Sequence, residues 1–267
     1  IQALRERMKK VLATPIKALL RQVGDRLLQA RVYALVRLFR AQPRPILVYQ
    51  MGKVGSTSMC RSLKEAGHQP LHVHFLTDRN HRSVESTFSD VGLMPAHYYT
   101  ERLLRPYLQW TSHELKVISL VRDPIARFVS GVFQWPISLG HVSEDVGKTR
   151  QDLVDRLSQP DALRYEFQWF DREMKQTLDV DVMGAPFNRA AGYTEYRGPR
   201  VRVLVLKLER MSELLPTVVS DFVGSPLQVS RANVGKQKDI GDIYAEVKQT
   251  LRLPRAVCER IYSHEWV

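Results

Sequence analysis

The sequence predicts an α/β protein: a three-layer α/β/α domain around a central, mostly parallel sheet, preceded by a basic amphipathic helical arm. Three observations predict it. Short runs of β-forming residues recur at 46–49, 71–76, 116–121 and 201–206. Helical stretches separate them, and strands alternating with helices imply a parallel sheet covered on both faces. The turn-forming Gln42-Pro43-Arg44-Pro45 sets off an arm, residues 1–44, from a domain, residues 45–267.

The arm carries a helical stripe of apolar residues, from Leu4, Met8, Val11 and Leu12 to Val23, Leu27 and Leu28, with a break or kink expected at Pro15. Its eleven Lys/Arg against Glu6 and Asp25 account for nine of the twelve net positive charges. The rest of the chain is only mildly basic, so the charge does not point to nucleic acid. Two readings of the arm stand. It packs on the domain or on a second chain, a homodimer included, or it lies on an anionic membrane surface.

The domain has the composition of a globular protein with a sizeable core, 44% hydrophobic and 25% charged over the whole chain. No apolar run is long enough to span a bilayer. Cys60 and Cys258 are too few and too distant for a disulfide framework or a metal site, and no Asn-x-Ser/Thr sequence occurs. These features suit a bacterial cytoplasm, with the inner membrane face as the arm's docking place. A Golgi-lumen origin with its anchor removed is the alternative, because the sequence begins at Ile1.

The first strand runs into Gln50-Met51-Gly52-Lys53-Val54-Gly55-Ser56-Thr57-Ser58, with a helix expected from about Ser56 to Ala66. The first amides of a helix lack internal partners and, with the helix dipole, favour an anion. Gly55 permits close approach, Ser56, Thr57 and Ser58 add hydroxyls, and Lys53 adds charge. The residues alone also fit a tight turn with a capped helix. The strand at 116–121 ends in Arg122-Asp123-Pro124, and Arg127 and Ser130 follow on an expected helix from about 124 to 133. Taken alone, Arg122-Asp123 reads as a surface ion pair and Arg127 as a solvated helix face.

Lys53-x-Gly55-Ser56-Thr57 resembles the 5′-phosphosulfate loop of the sulfotransferase superfamily. Arg122-Asp123-Pro124-x-x-Arg127-x-x-Ser130 resembles its 3′-phosphate motif. The resemblance implies a P-loop-like fold and 3′-phosphoadenosine 5′-phosphosulfate as co-substrate, with no metal. It assigns Lys53, Val54, Gly55, Ser56, Thr57 and Ser58 to the phosphosulfate, and Arg122 and Ser130 to the 3′-phosphate. It also implies a basic closing loop, met here by residues 233–238, with Lys236 the first candidate and Lys238 the second. Lys53 would balance charge on the leaving oxygen.

Residues 168–175, from Gln168-Trp169-Phe170 to Lys175, with Val180-Asp181-Val182, Pro186-Phe187 and Gly192-Tyr193, resemble bacterial capsular polysaccharide synthesis proteins. That points to a saccharide hydroxyl as acceptor. By itself the Trp169-Phe170 pair reads as core.

An attacking hydroxyl needs a base. His72 and His74, two apart on a strand, should share a face near its C-terminal end, where open α/β sheets place their sites. The pair resembles the His-x-His of heparan sulfate 2-O-sulfotransferases. His74 is taken as the base and His72 as its supporter; Asp78 and Glu85 are the acidic alternatives. Two other classes compete. A kinase-like nucleotide enzyme should show Gly-x-x-x-x-Gly-Lys-Ser/Thr, a pattern that the Lys53 loop does not fit. The other is a non-catalytic membrane-surface scaffold with a vestigial donor site.

Overall fold

The structure is a computed structural model that describes residues 22–79, 82, 96–111, 113–133, 142–230 and 238–264. Residues 22–40 form α1. Then come β1 (Ile46–Tyr49), α2 (Ser56–Glu65), β2 (Leu71–Val73), α3 (Ala96–Trp110), β3 (Leu115–Val121), α4 (Pro124–Val132) and α5 (Val146–Ser158). The next helix, α6 (Arg164–Phe170), runs through a wider π-type turn, Asp171–Lys175, into Gln176–Leu178. Strands β4 (Tyr193–Gly198) and β5 (Val201–Lys207) form a hairpin. The chain ends in α7 (Met211–Leu214, continued to Val223), α8 (Lys238–Thr250) and α9 (Arg255–Tyr262).

The five strands form one sheet in the order β2-β1-β3-β5-β4. All neighbours are parallel except the β4–β5 pair. This is the expected three-layer, mostly parallel architecture. Strand β1 is buried at every position, as a strand covered on both faces requires. The Ile-Leu-Val runs of β1, β3 and β5 share one core cluster with Trp169, Phe170 and Met174 of α6. The Trp169-Phe170 pair is therefore core.

Some boundaries differ from expectation for physical reasons. The apolar run at 71–76 pairs as a strand only to Val73. The amides of residues 74–77 turn instead to carboxylate side chains. Strand β4 carries Glu195 and Arg197 in an otherwise β-like run, which suits an edge strand. In the arm, α1 buries Val32, Val36 and Phe39 in the main core, while Val23, Leu27 and Leu38 face solvent. The break expected at Pro15 lies outside the described residues.

Candidate active site

The site is built at the C-terminal ends of β1, β2 and β3. Gln50, fully buried at the end of β1, ties the three together. Its amide Oε1 accepts from the Leu120 amide of β3 at 3.0 Å. Its own N–H donates to the Val73 carbonyl of β2 at 3.3 Å. Its carbonyl accepts from Nδ1 of His74 at 2.9 Å.

The loop from Met51 to Gly55 is held by its carbonyls, which leaves the amides at the start of α2 free of side-chain caps. Arg127 Nε donates to the Gly52 carbonyl at 3.1 Å, and Arg122 Nη1 donates to the Lys53 carbonyl at 3.1 Å. Lys53 takes a left-handed backbone conformation, with φ of 71°. For a residue with a Cβ this costs on the order of 1–2 kcal/mol, a strain typical of functional loops. Gly55 is left-handed as well, with φ of 91°, and a Cβ there would meet Leu208 Cδ1 at 2.4 Å. Only glycine suits both constraints.

The start of α2 contrasts with its neighbours. Among the described residues no side chain caps it, whereas Asp123 caps α4 by accepting from the Ala126 amide at 2.7 Å, and Asp145 caps α5 by accepting from the Lys148 amide at 3.1 Å. The α2 terminus thus combines uncapped helix amides with Ser56, Thr57 and Ser58 hydroxyls. Burial, reinforced by the charges of Arg122 and Arg127, brings the Lys53 ammonium below the usual lysine range; nearby Tyr244 works against the shift.

The isolated readings of the second motif change in the fold. Arg122 does not pair with Asp123. Asp123 caps α4 and accepts from the Tyr262 hydroxyl at 2.6 Å. Nor is Arg127 a solvated residue: besides Gly52 it pairs with Glu166 and lies 5.0 Å from the Tyr165 ring centroid. Ser130, eight residues past Arg122, lies on the face of α4 shared with Phe133, whose ring meets Tyr244 of α8 at 5.0 Å between centroids. A cleft floored by Met51, Val121, Phe167 and Phe170 opens beside Arg122 and Arg127.

On the other flank, His72 and His74 meet edge to face, with ring centroids 4.4 Å apart. Because a carbonyl only accepts, the Gln50 contact fixes the His74 proton on Nδ1 and leaves the Nε2 lone pair available. The ring lies against the anion loop, its Cε1 4.0 Å from where a Gly52 Cβ would stand. Burial lowers its pKa, assisted by Arg127 and partly opposed by the Gln50 bond. Burial pushes His72 down to about 3, and its Nε2 has no hydrogen-bond partner among the described residues. The hydrogen bond that orients His74 therefore comes from Gln50, and His72 contributes a ring contact. Of the acidic alternatives, Asp78 pairs with Arg105 at the surface. Glu85 lies outside the described residues, as does Lys236 with most of its loop.

Two groups that the motifs did not reveal fix the base. Glu101 Oε1 accepts from the amides of His74 and Phe75 at 3.0 and 3.2 Å. Glu173 Oε2 accepts from the amides of Leu76 and Thr77 at 2.6 and 3.3 Å, and from the Tyr49 hydroxyl at 2.5 Å. Its Oε1 accepts from the Thr77 hydroxyl at 2.7 Å. Four consecutive amides thus end on two buried carboxylates. Trp169 adds an indole bond to the His74 carbonyl at 3.1 Å. Glu173 sits on the π-type turn of α6, where the extra residue changes the direction in which side chains leave the helix.

Residues 142–266 match the family model described as "Putative capsular polysaccharide synthesis protein". No curated protein matches the chain. The match covers just under half of it and begins after Ser130. It includes Trp169, Glu173 and Tyr244, while the Lys53 loop, the histidines and Arg122 lie upstream. That description links the matched family to capsular polysaccharide synthesis. Among the described residues there is no cluster of three or more His, Cys, Asp or Glu that could hold a metal, and no helix long and apolar enough to cross a membrane.

Proposed function

We propose that the protein is a sulfotransferase that moves a sulfuryl group from 3′-phosphoadenosine 5′-phosphosulfate to a saccharide hydroxyl. The observation that carries this reading is the bond from Arg122 to the Lys53 carbonyl, which makes two anion-binding junctions adjoin. A nucleotide with a phosphate at each end of its ribose needs two such junctions side by side. A triphosphate loop needs one, with the lysine after its glycine.

In this reading the uncapped α2 amides, Ser56 and Thr57 hold the 5′-phosphosulfate, and the Arg122 fork with Ser130 holds the 3′-phosphate. Catalysis is positioning and charge stabilisation around an in-line displacement. The acceptor oxygen bonds to sulfur while the bond from sulfur to the bridging oxygen breaks. His74 Nε2 takes the hydroxyl proton. Lys53 stabilises the charge that develops on the leaving oxygen, and 3′,5′-bisphosphoadenosine departs. The saccharide acceptor is supported by the polysaccharide-synthesis family match. The solvent-facing Val23, Leu27 and Leu38, flanked by Arg26, Arg31 and Arg37, further suit contact with an anionic membrane.

The test is transfer of sulfur-labelled donor to capsular saccharides by purified protein without added divalent metal. Label should enter saccharide, and Lys53→Ala should slow transfer by about a hundredfold or more. Phosphate transfer from ATP, with none of the labelled sulfuryl group transferred, would reject the reading.

A further inference from the structure

We propose that Tyr244 is a third donor to the nucleotide's 3′-phosphate, beside Arg122 and Ser130. The inference rests on the sulfotransferase reading and extends it to a residue outside the resembling motifs.

Tyr244 is held by packing that has nothing to do with its hydroxyl. Helix α8 lays Ile243, Tyr244, Val247 and Leu251 on a small core with Val129 and Val132 of α4. The Tyr244 ring meets Phe133 with centroids 5.0 Å apart, and Lys248 Nζ lies 5.5 Å from its centroid. Phe133 and Ser130, three residues apart, share a face of α4, so this packing sets the phenol beside Ser130 and near Arg122, and close enough to Lys53 to favour the lysine's charge. One hydroxyl thus faces three groups that the reading gives to the nucleotide.

The chemistry of a phosphate monoester fits that placement. Three non-bridging oxygens offer more acceptor sites than one guanidinium and one serine can fill. The phenol lies near Arg122, whose own bond in the structure goes to the Lys53 carbonyl. With a phosphate on Arg122, the same hydroxyl turns its O–H to a phosphate oxygen. Burial alone would push the phenol pKa up. The nearby Ser130 hydroxyl and the charges of Arg122 and Lys248 outweigh burial and hold it below the usual tyrosine range, which strengthens the O–H as a donor. Tyr244 would therefore help the site favour nucleotides that carry a 3′-phosphate.

Calorimetric titration of the full chain with 3′,5′-bisphosphoadenosine and with adenosine 5′-monophosphate tests this. Tyr244→Phe keeps the ring against Phe133 and removes only the hydroxyl. The bisphosphate should bind about tenfold more weakly and the monophosphate as before, the effect of losing one hydrogen bond to a charged group. Unchanged bisphosphate affinity, or equal losses for both ligands, would overturn the assignment while leaving the donor site standing. Wild-type protein that binds the bisphosphate no more tightly than the monophosphate would refute the 3′-phosphate site itself, and Tyr244 with it.

Discussion

The Arg122 guanidinium donates through Nη1 to the main-chain carbonyl of Lys53 at 3.1 Å. One side chain therefore shapes the first anion loop while belonging to the second. Arg122→Ala should weaken 3′,5′-bisphosphoadenosine by about ten- to a hundredfold, the range for losing charged hydrogen bonds. Adenosine 5′-monophosphate should lose less, because Arg127 still braces the loop at Gly52. Arg122→Lys should recover little, since an ammonium cannot replace a planar fork. Equilibrium titration of both nucleotides checks the ordering.

Lys53 holds a left-handed backbone that glycine would adopt without strain. Lys53→Gly and Lys53→Ala should both lose transfer activity. They should differ in stability, with the glycine variant more stable than the alanine one by about 1 kcal/mol despite its greater unfolded-state entropy. Urea unfolding of the two variants measures the difference.

The base should show itself in the pH profile. Burial lowers the His74 pKa, so its reactive neutral form persists below the ordinary histidine value of about 6.5. The sign follows: kcat/KM should stay level as pH falls from 8 to about 6.5, and decline only below that as the imidazole protonates. His74→Ala should remove most of the rate, about a hundredfold or more, together with that acid limb. An inflection above pH 7 that survives in His74→Ala would place the base elsewhere.

Glu173 receives three side-chain or main-chain donors from Thr77 and Leu76, and a fourth from Tyr49. Glu173→Gln turns an amide donor toward those donors. Unfolding free energy should fall by about 1–3 kcal/mol, the cost of leaving buried polar groups unpaired. Because the segment it holds carries His74, kcat should fall with little change in nucleotide affinity. Loss of nucleotide binding alone would contradict that role.

Strand–helix junctions were legible in the sequence because their chemistry is local. Lys53, Gly55 and Arg122 each stand next to a β-forming run, and the fold brings these runs side by side. The buried carboxylates were not legible in that way. Glu101 and Glu173 stand among charged neighbours, Arg102 and Arg105 for the first and Asp171, Arg172 and Lys175 for the second, which hide a buried carboxylate. Their signals were the core-facing neighbours at helical spacing, Tyr98 and Leu104 for Glu101 and Trp169 for Glu173, all buried. Helix α3, which carries Glu101, was itself missed. Tyr244 was hidden because its neighbours lie on α4 and just past β3, far away in the chain. Strand β4 was missed because its Glu195 and Arg197 dilute the apolar pattern on a sheet edge.

The arm divides its apolar residues between two faces. Removing it would strip Val32, Val36 and Phe39 from the core, so the membrane proposal needs a gentler change. Leu27 and Leu38 are 67% and 58% exposed. Leu27→Gln with Leu38→Gln should leave unfolding within about 1 kcal/mol of wild type. Sedimentation with anionic vesicles should fall, and equal sedimentation of both proteins would reject membrane contact through this face.

A crystal structure of the complex with 3′,5′-bisphosphoadenosine bears most directly on the paired junctions. It should show the 5′-phosphate on the amides that open α2 and the 3′-phosphate on Arg122 and Ser130 of the same molecule. A nucleotide bound at the Lys53 loop with its 3′-phosphate turned away from Arg122 would contradict the donor site.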